Sequence, residues 1–211
     1  MHTSIGRGIL WGVLWSMSLV GAVTWAQTPV PHKAKLERLR VAVAPVGWDT
    51  NFTWLHPRSG SLDKRPVLEF LVGIDRRTGA YMPELAEQWE MAPDGKSWTI
   101  TLRKGVMFHN GWGECTAKDV QHSLFLLTQP EAVQTDTGLW RTLFGIEKAD
   151  SIDVVAQKVA HMVQIVSDHQ LIIHTTLTAP ELLDNLSANT DLMIQSKAYW
   201  EAGGKESYGR K

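Results

Sequence analysis

The sequence predicts a mixed α/β fold rich in antiparallel hairpins, and three observations carry that reading. In SWTITLR, Ser97 to Arg103, the residues Trp98, Ile100 and Leu102 point one way while Thr99, Thr101 and Arg103 point the other. A second stretch, VQIVSDHQLIIHTTL from Val163 to Leu177, is broken by a polar turn at Ser167-Asp168-His169 and reads as a hairpin. Between them Val120, Leu124 and Leu127 recur at i, i+4 and i+7, which is one apolar helix stripe. Hairpins of this kind exclude a purely parallel sheet, and neither GxGxxG nor GxxxxGK occurs.

Taken in chain order, the first 26 residues stand apart. Met1 to Ala26 holds one Arg (Arg7), no acid, and an apolar run from Gly8 to Trp25. That is the layout of an export signal, with a cleavage site at Thr24-Trp25-Ala26 and a new terminus at Gln27. The competing reading is an uncleaved anchor, since the run is nearly long enough to span a bilayer. Its glycines and serines, and the polar segment after it, favour cleavage. Residues 27–38 are polar and Pro-containing, a flexible leader. Residues 39–211 then form the folded part.

Leu39 to Pro45 reads as a short buried strand stopped by proline, followed by a long polar and aromatic loop, Val46 to Arg65. Pro66 is placed to open a helix whose apolar face is VLEFLVGI. Thr78-Gly79 marks a turn, and Glu84 to Met91 has strand length with room for a bend. In Pro93-Asp94-Gly95 the proline presets φ, the aspartate bonds local backbone, and the glycine accepts positive φ. Gly111 to Glu114 is the loop feeding a helix that starts at Thr116-Ala117-Lys118-Asp119. There a hydroxyl can cap and an acid sits in the electropositive first turn. Pro130 fits its end. Further on, Ile146 to Val155 reads as containing a strand, Pro180 to Ser187 as a helix, and Leu192 to Ile194 as a short strand. Ser196 caps a last helix through Ala202.

Charge and composition narrow the chemistry. The formal net charge is −1, with 44% hydrophobic and 20% charged residues, so there is no basic footprint for nucleic acid. The eight histidines form no HExxH and there is no CxxC, so no metal site or cofactor is assigned. No GxSxG elbow is present, and acids such as Glu84 and Glu87 fit a solvated face, so no catalytic residue is assigned. Cys115 is the single cysteine, which rules out an internal disulfide and suits a small buried hydrophobe. In the long loop, Trp48 and Trp54 have two readings: rings lining a ligand pocket, or rings pinning the loop onto its own domain.

The run GAYMPELAEQWEMAPDGKSWTITLRKGVMFHNG, followed by TAKDVQHSL, resembles the extracytoplasmic solute-binding proteins of family 5. These serve ABC importers of oligopeptides, dipeptides, nickel and related solutes. Pro83, Leu85, Ala86 and Trp89 fit the first part of the family pattern, and Asp94 and Gly95 its turn. Leu102, Arg103, Gly105, Val106, Phe108, His109, Asn110 and Gly111 fit the middle; Thr116, Ala117, Asp119 and Val120 fit the end. LMIQSKAYWEAGG is also similar to a family segment, so the resemblance runs from about Leu39 to Lys211. One departure is the linker Gly111-Trp112-Gly113-Glu114-Cys115, a residue longer than the commonest form. The other is the stop at Gly209-Arg210-Lys211, where family members continue through a second lobe.

The resemblance implies a periplasmic-binding-protein-like fold of type II, two-lobed in the parent, with this chain an N-terminal fragment. It implies a periplasmic, monomeric receptor that binds a peptide-like solute and delivers it to an ABC permease at the membrane. A receptor module passing occupancy to a sensor, or a secreted hydrolase, are the alternatives. The signature run is scaffold in the family, whereas the loop after the first strand borders the cleft. Val46, Trp48, Asp49 and Trp54 are therefore the expected ligand-facing residues, with Asp49 either meeting a cationic group or capping its own loop. A lone fragment is expected to bind weakly and to aggregate through an exposed apolar face.

Overall fold

The computed structural model describes residues 52–55, 67–190 and 192–209. The predicted export signal, the leader and the strand from Leu39 to Pro45 lie outside the described residues.

The alternation around Trp98 builds the central sheet. Strands β3 (Ala86–Met91), β4 (Ser97–Leu102), β5 (Val163–Ser167) and β6 (Gln170–His174) pair antiparallel in the order β3-β4-β6-β5. Trp98, Ile100 and Leu102 are buried on one face, and Leu171 and Ile173 of β6 share it. The register sets Trp98 opposite Ile173 and Ile100 opposite Leu171, so apolar side chains meet across the ladder.

The β3–β4 turn forms as its residues dictate. Gly95 takes φ +67°, and Asp94 Oδ1 accepts the Lys96 N–H at 2.9 Å. The β5–β6 turn falls at the Ser-Asp-His break. Its tip is tied down from two sides: Leu102 N–H donates to the His169 carbonyl and Ala117 N–H to the Asp168 carbonyl, both at 2.8 Å.

Helix α1 (Ala117–Thr128) lays Val120, Leu124 and Leu127 into the core. The short helix α2 (Thr137–Leu143) adds Trp140 and Leu143. α1 ends two residues before Pro130. At its start Thr116 and Asp119 make a capping box in which aspartate takes the place of the usual glutamate. Asp119 Oδ2 accepts the Thr116 N–H and hydroxyl, each at 2.8 Å.

Three expectations are corrected. Ile146 to Val155 holds no strand, since helix α3 (Ile152–Met162) begins there. Ser151 caps it, accepting the Val154 N–H, and Val155 and Val159 bury at helical spacing. The β-branched content suggested a strand, but packing of that stripe against α1 decided the outcome.

Val67 to Ile74 is not a helix. Its last residues form strand β1 (Val72–Ile74), which pairs with β2 (Tyr81–Pro83). The residues before β1 lie between two backbones. On one side Phe70 and Leu71 carbonyls accept the Leu85 and Ala86 N–H groups. On the other, Val72 N–H donates to Leu186, and Ile194 N–H donates to Glu69. Bonds on both sides fix an extended chain that a helix would have to break.

Leu192 to Ile194 is buried but forms no strand. Ile194 bonds to Glu69, whereas the next N–H, that of Gln195, goes to the Ser123 hydroxyl on α1 at 2.9 Å. Helix α4 (Leu182–Asn185) is shorter than Pro180–Ser187, and α5 (Lys197–Gly209) runs past Ala202. Ser196 caps α5 as expected, accepting the Tyr199 N–H at 3.2 Å.

Candidate functional site

Val46, Trp48 and Asp49 lie outside the described residues, so Trp54 is the one ligand-facing candidate with a place in the structure. It sits in a 3₁₀ turn, Thr53–Leu55, with 1% of its surface exposed. Its ring packs on Phe52 (centroids 4.7 Å apart) and edge-on to Trp200 of α5 (5.4 Å). Leu126 and Ala132 complete a satellite core beside the main one. The Trp54 carbonyl accepts the N–H groups of Val133 and Gln134, at 2.9 and 3.0 Å. Among the described residues the ring is enclosed on its own domain, the arrangement that the second reading of Trp54 expects.

The same junction gathers residues that sequence reasoning passed over. The Gln195 side-chain amide hydrogen-bonds the Thr53 hydroxyl, beside Trp54. His122 of α1 is buried at 8% exposure, with its ring 5.7 Å from Trp200 and 6.2 Å from Phe125. Burial pushes the His122 imidazole down to about 4, and the Lys197 charge adds to that. Trp112, in the lengthened linker, meets Tyr199 of α5 edge-on at 4.9 Å. Apart from the His122–Phe125 step along α1, these partners are far apart in the sequence, so no local signal ties them together.

The run from Pro83 to Val120 behaves as framework. Within it Glu114 meets His169 Nε2 at 2.9 Å, and Lys118 Nζ pairs with Asp168 at 3.3 Å on the exposed surface. Glu114 Oε1 also accepts the Gly105 N–H, which with His169 holds its carboxyl below the usual range. The Glu114–His169 pair braces the loop before α1 against the β5–β6 turn. Glu84 is half-buried, and burial raises its carboxyl, with the Glu69 charge adding to the effect.

A shallow cleft of about 90 Å³ opens between Val67–Glu69, Val106–His109 and Ile194. Pockets for organic ligands run to roughly 300–1,000 Å³, so this one is too small for a peptide. Cys115 lies against it, 4% exposed, and its thiol is pushed up to about 12 by burial and by nearby carboxylates. That thiol is unreactive at neutral pH. Among the described residues, no group of three or more His, Cys, Asp or Glu is placed to hold a metal ion.

Comparison with known proteins gives the framework its context. The sequence profile "Bacterial extracellular solute-binding proteins, family 5 Middle" matches residues 80–208. The periplasmic oligopeptide-binding protein OppA of Haemophilus influenzae is 30% identical over 147 residues, covering 67% of this chain and 27% of that protein. The crystal structure of H. influenzae OppA with the peptide RPPGFSPFR superposes with a TM-score of 0.62 at 23% identity, over 76% of this chain and 31% of that one. The substrate-binding domain of an oligopeptide ABC transporter from Bacillus anthracis gives 0.62 at 22% identity, over 76% and 30%. At such identities the structural likeness speaks for the fold. The chain spans roughly three-tenths of the length of these relatives.

Proposed function

The chain belongs to the bacterial extracellular solute-binding proteins of family 5, and from that premise we propose that it is part of a receptor that captures a peptide-like solute for an ABC-type importer. Its fold is that of part of a type II periplasmic binding protein. The observation that carries the proposal is the family match over residues 80–208, on the segment whose turn, sheet and capped helix are all formed.

The chemistry of the described part suits this role. A receptor needs no acid, base or nucleophile, but it needs a rigid wall and a mobile partner surface that closes on the solute. In this proposal the hairpins and α1 supply the wall. Solute contact belongs in this proposal to Val46, Trp48 and Asp49, in the loop sequence just before Trp54. Aromatic rings there cover apolar side chains of the solute, and Asp49 faces a cationic group. Placement outside the cytoplasmic membrane, behind a signal cleaved near Ala26, and delivery to a permease belong to the same reading.

The test is a thermal-shift screen of the full-length protein against di- to nonapeptides. A ligand at about 100 times its Kd adds roughly 2.7 kcal/mol, which is a shift of several degrees. No shift with any peptide, alongside a shift with a sugar or a metal chelate, overturns the peptide assignment. Asp49→Asn and Trp48→Ala are then expected to weaken binding about tenfold with little change in the unliganded melting temperature.

A further inference from the structure

The junction of α1 and α5 carries a device that the transport reading does not require. His122 sits at that junction with Nε2 enclosed and without a hydrogen-bond partner. Its ring faces Phe125 from its own helix and Trp200 from α5. Among the described residues, the charges acting on it are Lys197 and Glu201 of α5 and Asp119 of α1.

Both acids are already engaged elsewhere, and their pull on a proton at His122 is outweighed by burial and by Lys197. Asp119 Oδ2 holds the Thr116 N–H and hydroxyl, and its Oδ1 holds the Lys197 N–H at 2.8 Å. Glu201 is paired with Lys197 Nζ at 3.1 Å. Lys197 meanwhile repels any positive charge at His122. A buried imidazolium would therefore carry an Nε2–H with no acceptor while Lys197 repels it, a state that proteins avoid by moving the group into solvent. Moving it means parting His122 from Trp200.

We propose that His122 makes the docking of α5 acid-labile: proton uptake on its imidazole releases Trp200 and the first turn of α5 from α1 while the β3-β4-β6-β5 sheet stays folded. The sign follows from linkage. A base whose docked-state proton affinity is lowered binds more protons when undocked, so acid favours undocking. Docking is at full strength above the ordinary histidine value of 6.5 and weakens as pH falls from there to about 4.

The experiment is hydrogen exchange on the full-length protein across this range, corrected for the intrinsic pH dependence of exchange. Two reporters are the Lys197 N–H, bonded to Asp119, and the Trp200 N–H, bonded to Ser196. Their protection is expected to fall about a hundredfold between about pH 7 and about pH 4, while amides of β4 and β6 keep theirs. His122→Phe removes the titrating group and is expected to leave α5 protection flat over the same range. His122→Gln, polar but uncharged, is expected to do the same, and covers the case in which the Phe variant misfolds. A direct NMR titration of the His122 ring in the wild type should give a value well below 6. The proposal is overturned by a ring value near 6.5, by simultaneous loss of α5 and sheet protection, or by an acid response that survives both substitutions.

Discussion

The Asp119 carboxylate accepts the backbone N–H of Lys197 at 2.8 Å, across 78 residues of chain. Its other oxygen holds the Thr116 N–H and hydroxyl. One buried acid, 6% exposed, therefore closes the open first turns of both α1 and α5. Removing it unties two helices at once. A lost cap costs about 0.5–2 kcal/mol and a lost charged hydrogen bond about 1.5–3 kcal/mol. Asp119→Ala is expected to destabilise by about 3 kcal/mol and lower Tm by roughly 6–12 °C, read by circular dichroism. Asp119→Asn keeps an acceptor and should lose about half as much.

Trp54 tests the anchoring role. Truncating a ring that is 1% exposed and packed on Phe52, Leu126, Ala132 and Trp200 leaves a cavity. Trp54→Ala is expected to cost about 3–5 kcal/mol in denaturant unfolding. A variant with unchanged stability and weakened binding would return Trp54 to the ligand surface.

Glu114 predicts a second acid response, distinct from that of His122. Its carboxyl is held below 4.5 by the Gly105 N–H and by His169. A depressed acid adds stability that is present above its ordinary value and is lost as pH falls through the folded value. Glu114→Gln is therefore expected to flatten the pH dependence of stability below about pH 4.5, with only a small effect at neutral pH because the amide oxygen still accepts the Gly105 N–H. Thermal melts across the acid range read this directly, and an unchanged acid limb would count against the brace.

Cys115 is expected to resist thiol reagents in the native state. With its thiol pushed up to about 12 and 4% of its surface exposed, almost no thiolate is present at pH 8. Labelling by a chromogenic disulfide should be slow without denaturant and stoichiometric in it. Rapid native labelling would show that the segment around Cys115 opens readily.

Gly95 takes φ +67° at the Pro-Asp-Gly turn. The nearest neighbour of an added Cβ is Thr178 at 3.7 Å, so strain and not collision sets the cost. Gly95→Ala is expected to lose about 1 kcal/mol, seen as a small drop in the denaturation midpoint, whereas Gly95→Asn should be better tolerated.

Much of the fold is legible because its signals are local. Gly95, the β4 alternation, the Thr116–Asp119 box and the β5–β6 break each fit within a few residues, and each forms where the pattern puts it. Ser151 is the instructive miss. A cap followed by Val155 and Val159 was there to be read, but Ile146, Ile152 and Val154 pull towards a strand. Short β-branched segments suit either state until something packs against them. The candidate site was less legible. Trp54 could be recognised as a loop aromatic, yet its burial depends on Trp200, and no window of sequence contains both.

By itself, then, the sequence determined the hairpins, the start of α1 and the family, since these rest on periodicity, turn chemistry and ordered motif residues close together in the chain. Only the tertiary structure decided that Val67–Ile74 is extended, that Trp54 is enclosed, that Asp119 serves two helices and that His122 is buried between α1 and α5. The reason is physical: burial and hydrogen-bond partnership are set by residues as far as 142 positions apart, and such partners meet only once the local elements have packed.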